Sequence, residues 1–474
     1  MIDLRTDDGV REALRAIAAW PTPDAPPAAS SRPAAPTPPV AHLADRRRRQ
    51  ARWSVAAALV AMALVAGVLA RAQGERTPMA TGTWRTMAPS PLPPRVAPIS
   101  LWLGDRLLIW GGHDAEGTER GDGAMYDPAE DRWTGIADQP FPYERRTGSA
   151  VGAPNGSWST YPTPGAWFEG RAYFVLTSPE EPWGWDLVSY DPTADRWEEV
   201  DRARFDQQPN DALVRREGTA TVQSPVSLHV RDGELLVFGW DSQRGEYGAA
   251  SIDPTSRAWG EFTGVPGSGQ EYGLQWATPG PVLLEDRYLT WVPSNGLTST
   301  RRSGFSLDLE TGRTIDVQPP VDEEIFWLSG LSERGVAVGA STDGGLADGE
   351  RFTVRLDAAT GAWSALPALR SGPAEAADDE GAPAVAAVGS RTAIIGGLDR
   401  SYRVGGLRST HGSSVLEDDR WRRLPEAPID LARADPIVVW TGSTVLVWGG
   451  MALPEDGAPL ATVPLADGAR FDLG

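Results

Sequence analysis

The sequence predicts an all-β fold: seven similar four-stranded sheets in a closed ring, a seven-bladed β-propeller. It also predicts one transmembrane α-helix and a short cytoplasmic tail ahead of that ring. Three observations carry this. A strand–turn–Trp unit recurs from Trp84 onward, a short apolar strand precedes each copy, and one uncharged run interrupts the polar N-terminal stretch.

The recurring unit is a strand ending in Asp, a tight turn, and a strand that opens on Trp. Copies are Ala124-Met125-Tyr126-Asp127-Pro128 before Trp133 and Val188-Ser189-Tyr190-Asp191-Pro192 before Trp197. Others are Ala250-Ser251-Ile252-Asp253-Pro254 before Trp259, Thr353-Val354-Arg355-Leu356-Asp357 before Trp363, and Ser413-Ser414-Val415-Leu416 before Trp421. A degenerate copy, Phe305-Ser306-Leu307-Asp308, reaches Thr314 where Trp is expected. The strands ahead of them include Leu107-Leu108-Ile109-Trp110-Gly111-Gly112, Ala393-Ile394-Ile395-Gly396-Gly397 and Val445-Leu446-Val447-Trp448-Gly449-Gly450. Such runs are β-branched, aromatic and bounded by turn residues, as strands are. Their near-continuous apolarity requires cover on both faces, as in sheets stacked face to face.

The Trp positions lie about 49 to 64 residues apart, and a period near 50 is that of kelch repeats. From Trp84 to Gly474 the chain resembles the kelch family through its Gly-Gly, Asp-Pro and Trp elements taken together. Glycine permits the sharp turn, Asp-Pro starts a tight one, and Trp fills the space between blades. The periodicity makes these residues core rather than site. The last copy, Val445–Gly450 with Arg470-Phe471-Asp472, has no Trp strand after it, and Gly82-Thr83-Trp84-Arg85-Thr86-Met87 has no copy before it. An open ring would expose strand edges. The N-terminal strand near Trp84 is therefore expected to complete the seventh blade.

Residues 1–20 place Leu4, Val10, Leu14 and Ile17 at helical spacing, an amphipathic cytoplasmic helix that could dock a partner. Residues 21–52 hold a Pro/Ala-rich linker and the basic run Arg46-Arg47-Arg48-Arg49-Gln50-Ala51-Arg52. No residue from Ser54 to Ala70 is charged, so 53–72 is expected to span the bilayer, with Trp53 at the interface. Five arginines before the run and few after it put the N-terminus inside and the rest outside. Ala70-Arg71-Ala72 also fits a signal-peptide cleavage site, but the run is long for an h-region and the preceding segment far too long. A linker, 73–81, then leads to the propeller, 82–474.

Composition narrows the chemistry. The chain has no cysteine, which excludes disulfides, thiolate metal sites and cysteine nucleophiles. All of its basic residues are arginine, so lysine Schiff-base and P-loop chemistry are excluded as well. Arginine in place of lysine, with abundant Ala, Gly and Pro, suits a high-GC bacterial genome. A net charge of -20 argues against nucleic acid as a partner. His42, His113, His229 and His411 show no metal-ligand spacing. The kelch resemblance allows copper oxidases of the galactose oxidase type, but those need a cysteine cross-linked to tyrosine. Ser341-Thr342-Asp343-Gly344-Gly345 matches a sialidase turn only in part. No cofactor and no metal are expected.

In an up-and-down blade with strands A to D counted from the axis, the B–C and D–A loops share one face. The A–B and C–D turns share the other. The B–C and D–A loops are long here: 112–122, 136–145, 201–217, 262–280, 397–411 and 451–466. Long loops on a rigid scaffold carry binding. His113, Arg145, Arg146, Arg301, Arg302, Arg403 and His411 are the candidate contacts for a protein or glycan outside the cell. The expected function is a membrane-anchored extracytoplasmic binding or scaffold protein. A carbohydrate-active enzyme with its site at the axis is the alternative, and a sensor reporting inward through residues 1–20 is a third.

Overall fold

The computed structural model describes residues 79–141, 165–177, 184–207, 213–217, 222, 224–241, 244–266, 268, 281–292, 304–318, 320, 325–342, 350–367, 384–396, 398–399, 408–409, 413–452 and 463–473. The residues expected to form the cytoplasmic helix, 1–20, and the membrane span, 53–72, lie outside the described residues. Among the described residues no helix is long and apolar enough to cross a membrane.

Seven antiparallel sheets follow one another along the chain. Blade one is typical, with strands Ile99–Trp102, Leu107–Trp110, Gly123–Asp127 and Arg132–Gly135 paired in that order. The innermost strands of blades two to seven are Gly165–Phe168, Ser224–Arg231, Val282–Leu284, Ile325–Leu331, Ala384–Val388 and Ile437–Trp440. The degenerate fourth copy still forms four strands, with Thr314–Val317 outermost.

The seventh blade closes the ring. Ile437–Trp440, Thr444–Trp448 and Gly468–Leu473 come from the C-terminal end, and Gly82–Thr86 supplies the fourth strand. Trp84 pairs with Phe471 and Thr83 with Asp472, and the two rings stand 4.9 Å apart. Gly82, with φ at 148°, leaves space that a Cβ would take from the Phe471 ring at 2.3 Å. Closure removes two sheet edges and buries the last blade face, which is the physical reason the first strand pairs with the last.

The hydrophobic core lies between blades. Phe238, Tyr247, Leu289, Trp291, Phe305 and Leu307 join blade three to blade four. Trp110, Phe174, Val188, Tyr190 and Trp197 join blade one to blade two. A fully buried side chain of this size contributes about 1.5–3 kcal/mol.

The recurring tryptophans do more than fill space. Trp197 and Trp421 are buried and the others half-buried. Each indole N–H reaches the preceding blade: Trp84 to Pro425 O, Trp133 to Ala88 O, Trp197 to Ala137 O, Trp363 to Gln318 O and Trp421 to Pro367 O, at 2.8–3.0 Å. Trp259 donates instead to Asp201 Oδ2 at 3.0 Å. Blades one and two add a second staple. Asp131 accepts from the Tyr126 hydroxyl and from the Ala88 N–H of blade seven's exit. Asp195 does the same with Tyr190 and Ala137.

Two arginines that sequence periodicity did not single out are almost fully buried. Arg95 and Arg433 are each 1% exposed and sit just ahead of the inner strands of blades one and seven. Arg95 donates to Gly111 O at 2.9 Å and pairs with Asp122 at 2.9 Å. Arg433 repeats this with Gly449 O and Asp467, both at 2.9 Å. The shared signature is Arg-x-x-Pro, Arg95 to Pro98 and Arg433 to Pro436, with Ala97 and Asp435 both at positive φ.

Several stretches expected as loops are partly strand. In 201–217, the outer strand Arg196–Gln207 runs on and Leu213–Glu217 adds a fifth strand to blade two. The extension is held where Arg204 meets the buried Asp186 at 2.7 Å and donates to Trp185 O. Thr263–Val265 pairs with Glu246–Asp253, and short ladders join Leu398–Asp399 to Arg408–Ser409 and Met451–Ala452 to Val463–Pro464.

Candidate functional site

The inner strands decide what faces the axis, and they are mainly apolar. Ile99-Ser100-Leu101-Trp102, Val282-Leu283-Leu284, Ala384-Val385-Ala386-Ala387-Val388 and Ile437-Val438-Val439-Trp440 carry no charge. Blade three differs by placing His229 and Arg231 on its inner strand. His229 Nε2 lies 3.0 Å from Ser227 Oγ. The surrounding protein holds its imidazole neutral, pushed down to about 4 by loss of hydration. Arg231 pairs with Asp232 at 3.1 Å.

Charge gathers at one mouth of the channel, where the A–B turns lie. Those turns carry Asp105, Glu169, Asp232, Glu285, Asp286 and Glu333 in blades one to five. Trp102, Trp167 and Trp440 stand near the same ends of the inner strands of blades one, two and seven, all half-buried. Glycine turns lie against two of these indoles: a Cβ on Gly104 would meet Trp167 at 3.7 Å and one on Gly389 would meet Trp440 at 3.6 Å, both ordinary contact distances.

A cleft of about 630 Å³ opens on this face. The A–B turns of blades four, five and six form its rim through Glu285-Asp286, Glu333-Arg334 and Gly389-Ser390. The C–D turn of blade six, Asp418-Asp419, and Trp440 complete the wall, and Val336, Leu416 and Arg355 line the depth between blades five and six. Arg355 pairs with Asp419 at 2.8 Å, and Arg334 Nε donates to Gly389 O. Desolvation pushes the Glu333 carboxyl above the usual range; the charge of Asp286 adds to this and Arg334 opposes it. Five carboxylates thus share the cleft with two arginines that already have partners.

Two rim turns place both central residues in the left-handed region. Glu285 and Asp286 both have φ of 53°, and Asp418 and Asp419 have 48° and 55°. This is type I′ geometry, normally met by Asn-Gly or Asp-Gly; blade three uses Asp232-Gly233. Asp tolerates this region better than most residues, and Asp131, Asp195, Asp232 and Glu169 occupy it in other turns, so the acids of the rim fit the turn geometry.

Of the residues expected to contact a ligand, Arg145, Arg146, Arg301, Arg302, Arg403 and His411 lie outside the described residues. His113 is described and is 4% exposed rather than set on a loop tip. Its backbone exchanges hydrogen bonds with Val96 at 2.8 and 3.0 Å and bridges to Glu119. The cleft lies on the face opposite the long loops, and periodicity reasoning passed over its residues because they occupy short turns. The signal was present as acidic A–B turns recurring at one place in the repeat, beside tryptophans near the ends of three inner strands.

No family model and no curated protein matches the chain. Among solved structures it is similar to a fungal alcohol oxidase of the AA5 family in complex with copper. The identity is 12% and the TM-score 0.43, covering 83% of this chain and 76% of that one. It is also similar to YjhT, at 13% identity and a TM-score of 0.38, covering 81% of this chain and 96% of that one.

Proposed function

We propose that the chain is a membrane-anchored, kelch-like propeller that binds a protein or glycan outside the cell. The observation that carries the binding role is the cleft at the channel mouth. It is concave, joins an aromatic wall to convergent polar groups, and sits on a ring made rigid by closure. Anchoring rests on the uncharged run Ser54 to Ala70 behind five arginines, with the bilayer as partner of residues 53–72. Residues 1–20 then face the cytoplasm, where a docking partner would meet them.

The second reading, a carbohydrate-active enzyme, draws on Glu333. Glu333 shares the cleft with Glu285 and Asp286, and a carboxyl raised by desolvation and by neighbouring carboxyls is how a general acid is prepared. The two readings separate by turnover: a scaffold holds its ligand unchanged, whereas an enzyme releases a product that Glu333→Gln abolishes.

Anchoring is tested by protease treatment of intact cells carrying the chain with tags at both ends. The expected result is loss of the C-terminal tag and protection of the N-terminal one. Protection of both tags would refute the orientation.

A further inference from the structure

We infer that the cleft between blades five and six is a glycan subsite that accepts a neutral or amino-bearing sugar unit and rejects acidic ones. This rests on the binding reading above and names the ligand class of that site. At about 630 Å³ the cleft is in the size range of ligand pockets, roughly 300–1,000 Å³.

Its chemistry is mixed in the way a pyranose requires. The half-buried Trp440, resting against the Gly389 turn, offers an aromatic wall for the apolar C–H face of a sugar ring. The carboxylates are acceptors with two oxygens each, suited to hydroxyl or ammonium donors. Arg355 pairs with Asp419 and Arg334 donates to Gly389 O, and each guanidinium has further N–H donors for a sugar hydroxyl. Crowding of Glu285, Asp286 and Glu333 on adjacent turns leaves like charges close together, which a ligand rich in donors relieves. A uronate or sialylated unit would add negative charge to that crowd and is excluded by repulsion.

The test uses the full-length chain in detergent micelles and isothermal titration with three sugars: a glucosamine trimer, cellotriose and trigalacturonate. The glucosamine trimer is expected to bind most tightly, cellotriose more weakly and trigalacturonate not measurably. Trp440→Ala is expected to weaken binding of the glucosamine trimer at least tenfold. Because Trp440 also packs against the core between blades six and seven, the double variant Glu285→Gln/Asp286→Asn is the companion. Its melting temperature should not fall, since neither side chain is buried, and its affinity for the glucosamine trimer should also drop about tenfold.

Trigalacturonate binding as well as the other sugars, or full affinity in the double variant, overturns the subsite. Sugar binding that ignores both substitutions would place the glycan elsewhere and leave the binding role standing. Silence from all three sugars, with the intact chain still holding a protein ligand, would sink the glycan class alone.

Discussion

Joining the two ends of the propeller covalently tests the closure of the ring directly. Thr83 and Asp472 face each other across the first and last strands of blade seven. Antiparallel partners have Cα atoms about 4.5 or 5.5 Å apart, within the roughly 4.4–6.8 Å that a disulfide spans. The chain has no cysteine of its own, so Thr83→Cys/Asp472→Cys introduces two thiols and one pairing within a molecule. The bridge would close a loop of some 390 residues, for which chain entropy alone gives about 6 kcal/mol, although measured gains run at about 2–4 kcal/mol. The substitution removes the hydrogen bond from Thr444 to Asp472 at 2.9 Å and an exposed Arg85–Asp472 contact at 3.7 Å, together about 1 kcal/mol. The net gain is therefore about 1–3 kcal/mol. With an unfolding entropy of about 2.1 cal/mol/K per residue over that length, 3 kcal/mol corresponds to about 4 °C. The assay is mobility on a non-reducing gel after air oxidation, followed by thermal unfolding with and without reductant. Monomer that oxidises to a compact, reductant-sensitive band and melts higher supports closure. Free thiols that persist, or cross-links between molecules only, would refute the pairing of Trp84 with Phe471 and with it the seventh blade.

Other substitutions probe single links. Arg95→Met should cost about 3 kcal/mol, because it leaves the Gly111 carbonyl unpaired in the interior, and Arg433→Met should cost a similar amount; urea unfolding checks both. Trp133→Phe keeps an aromatic side chain but loses the 2.9 Å bond to Ala88 O, about 1 kcal/mol, together with part of the indole's packing on Tyr126 and Trp448, so the urea midpoint should fall by more than the bond alone implies. Because His229 is neutral in the fold down to about 4, the unfolded chain binds the extra proton below its ordinary value of 6.5. Stability should therefore fall as pH drops from about 6.5 to about 4, and His229→Gln should flatten that limb in a melting series. Asp122 responds further down. Burial raises its carboxyl, but the hydrogen bond and charge of Arg95 outweigh this and hold it below the usual range. Its contribution is present above about 4 and is lost as pH falls through the lowered value, so Asp122→Asn should blunt the steepest acid loss.

Local pattern determined much of this protein. Apolar runs such as Leu107–Trp110 and Thr444–Trp448, the turns after Asp127 and Asp191, and the unpaired strand around Trp84 predicted seven sheets and how they join. They could do so because strand period, turn chemistry and edge avoidance act over a few residues or along one sheet. Tertiary structure decided the rest. The indole N–H of Trp84 finds the carbonyl of Pro425, 341 positions away, and no local pattern announces that bond. Arg95 and Arg433 look like surface residues until a neighbouring strand supplies Gly111 and Gly449. The cleft exists because turns near residues 285, 333, 389 and 418 meet at one mouth of the ring. Each is an ordinary acidic or glycine turn in the sequence, and stacking the blades around an axis is what brings their charges to a shared concave surface.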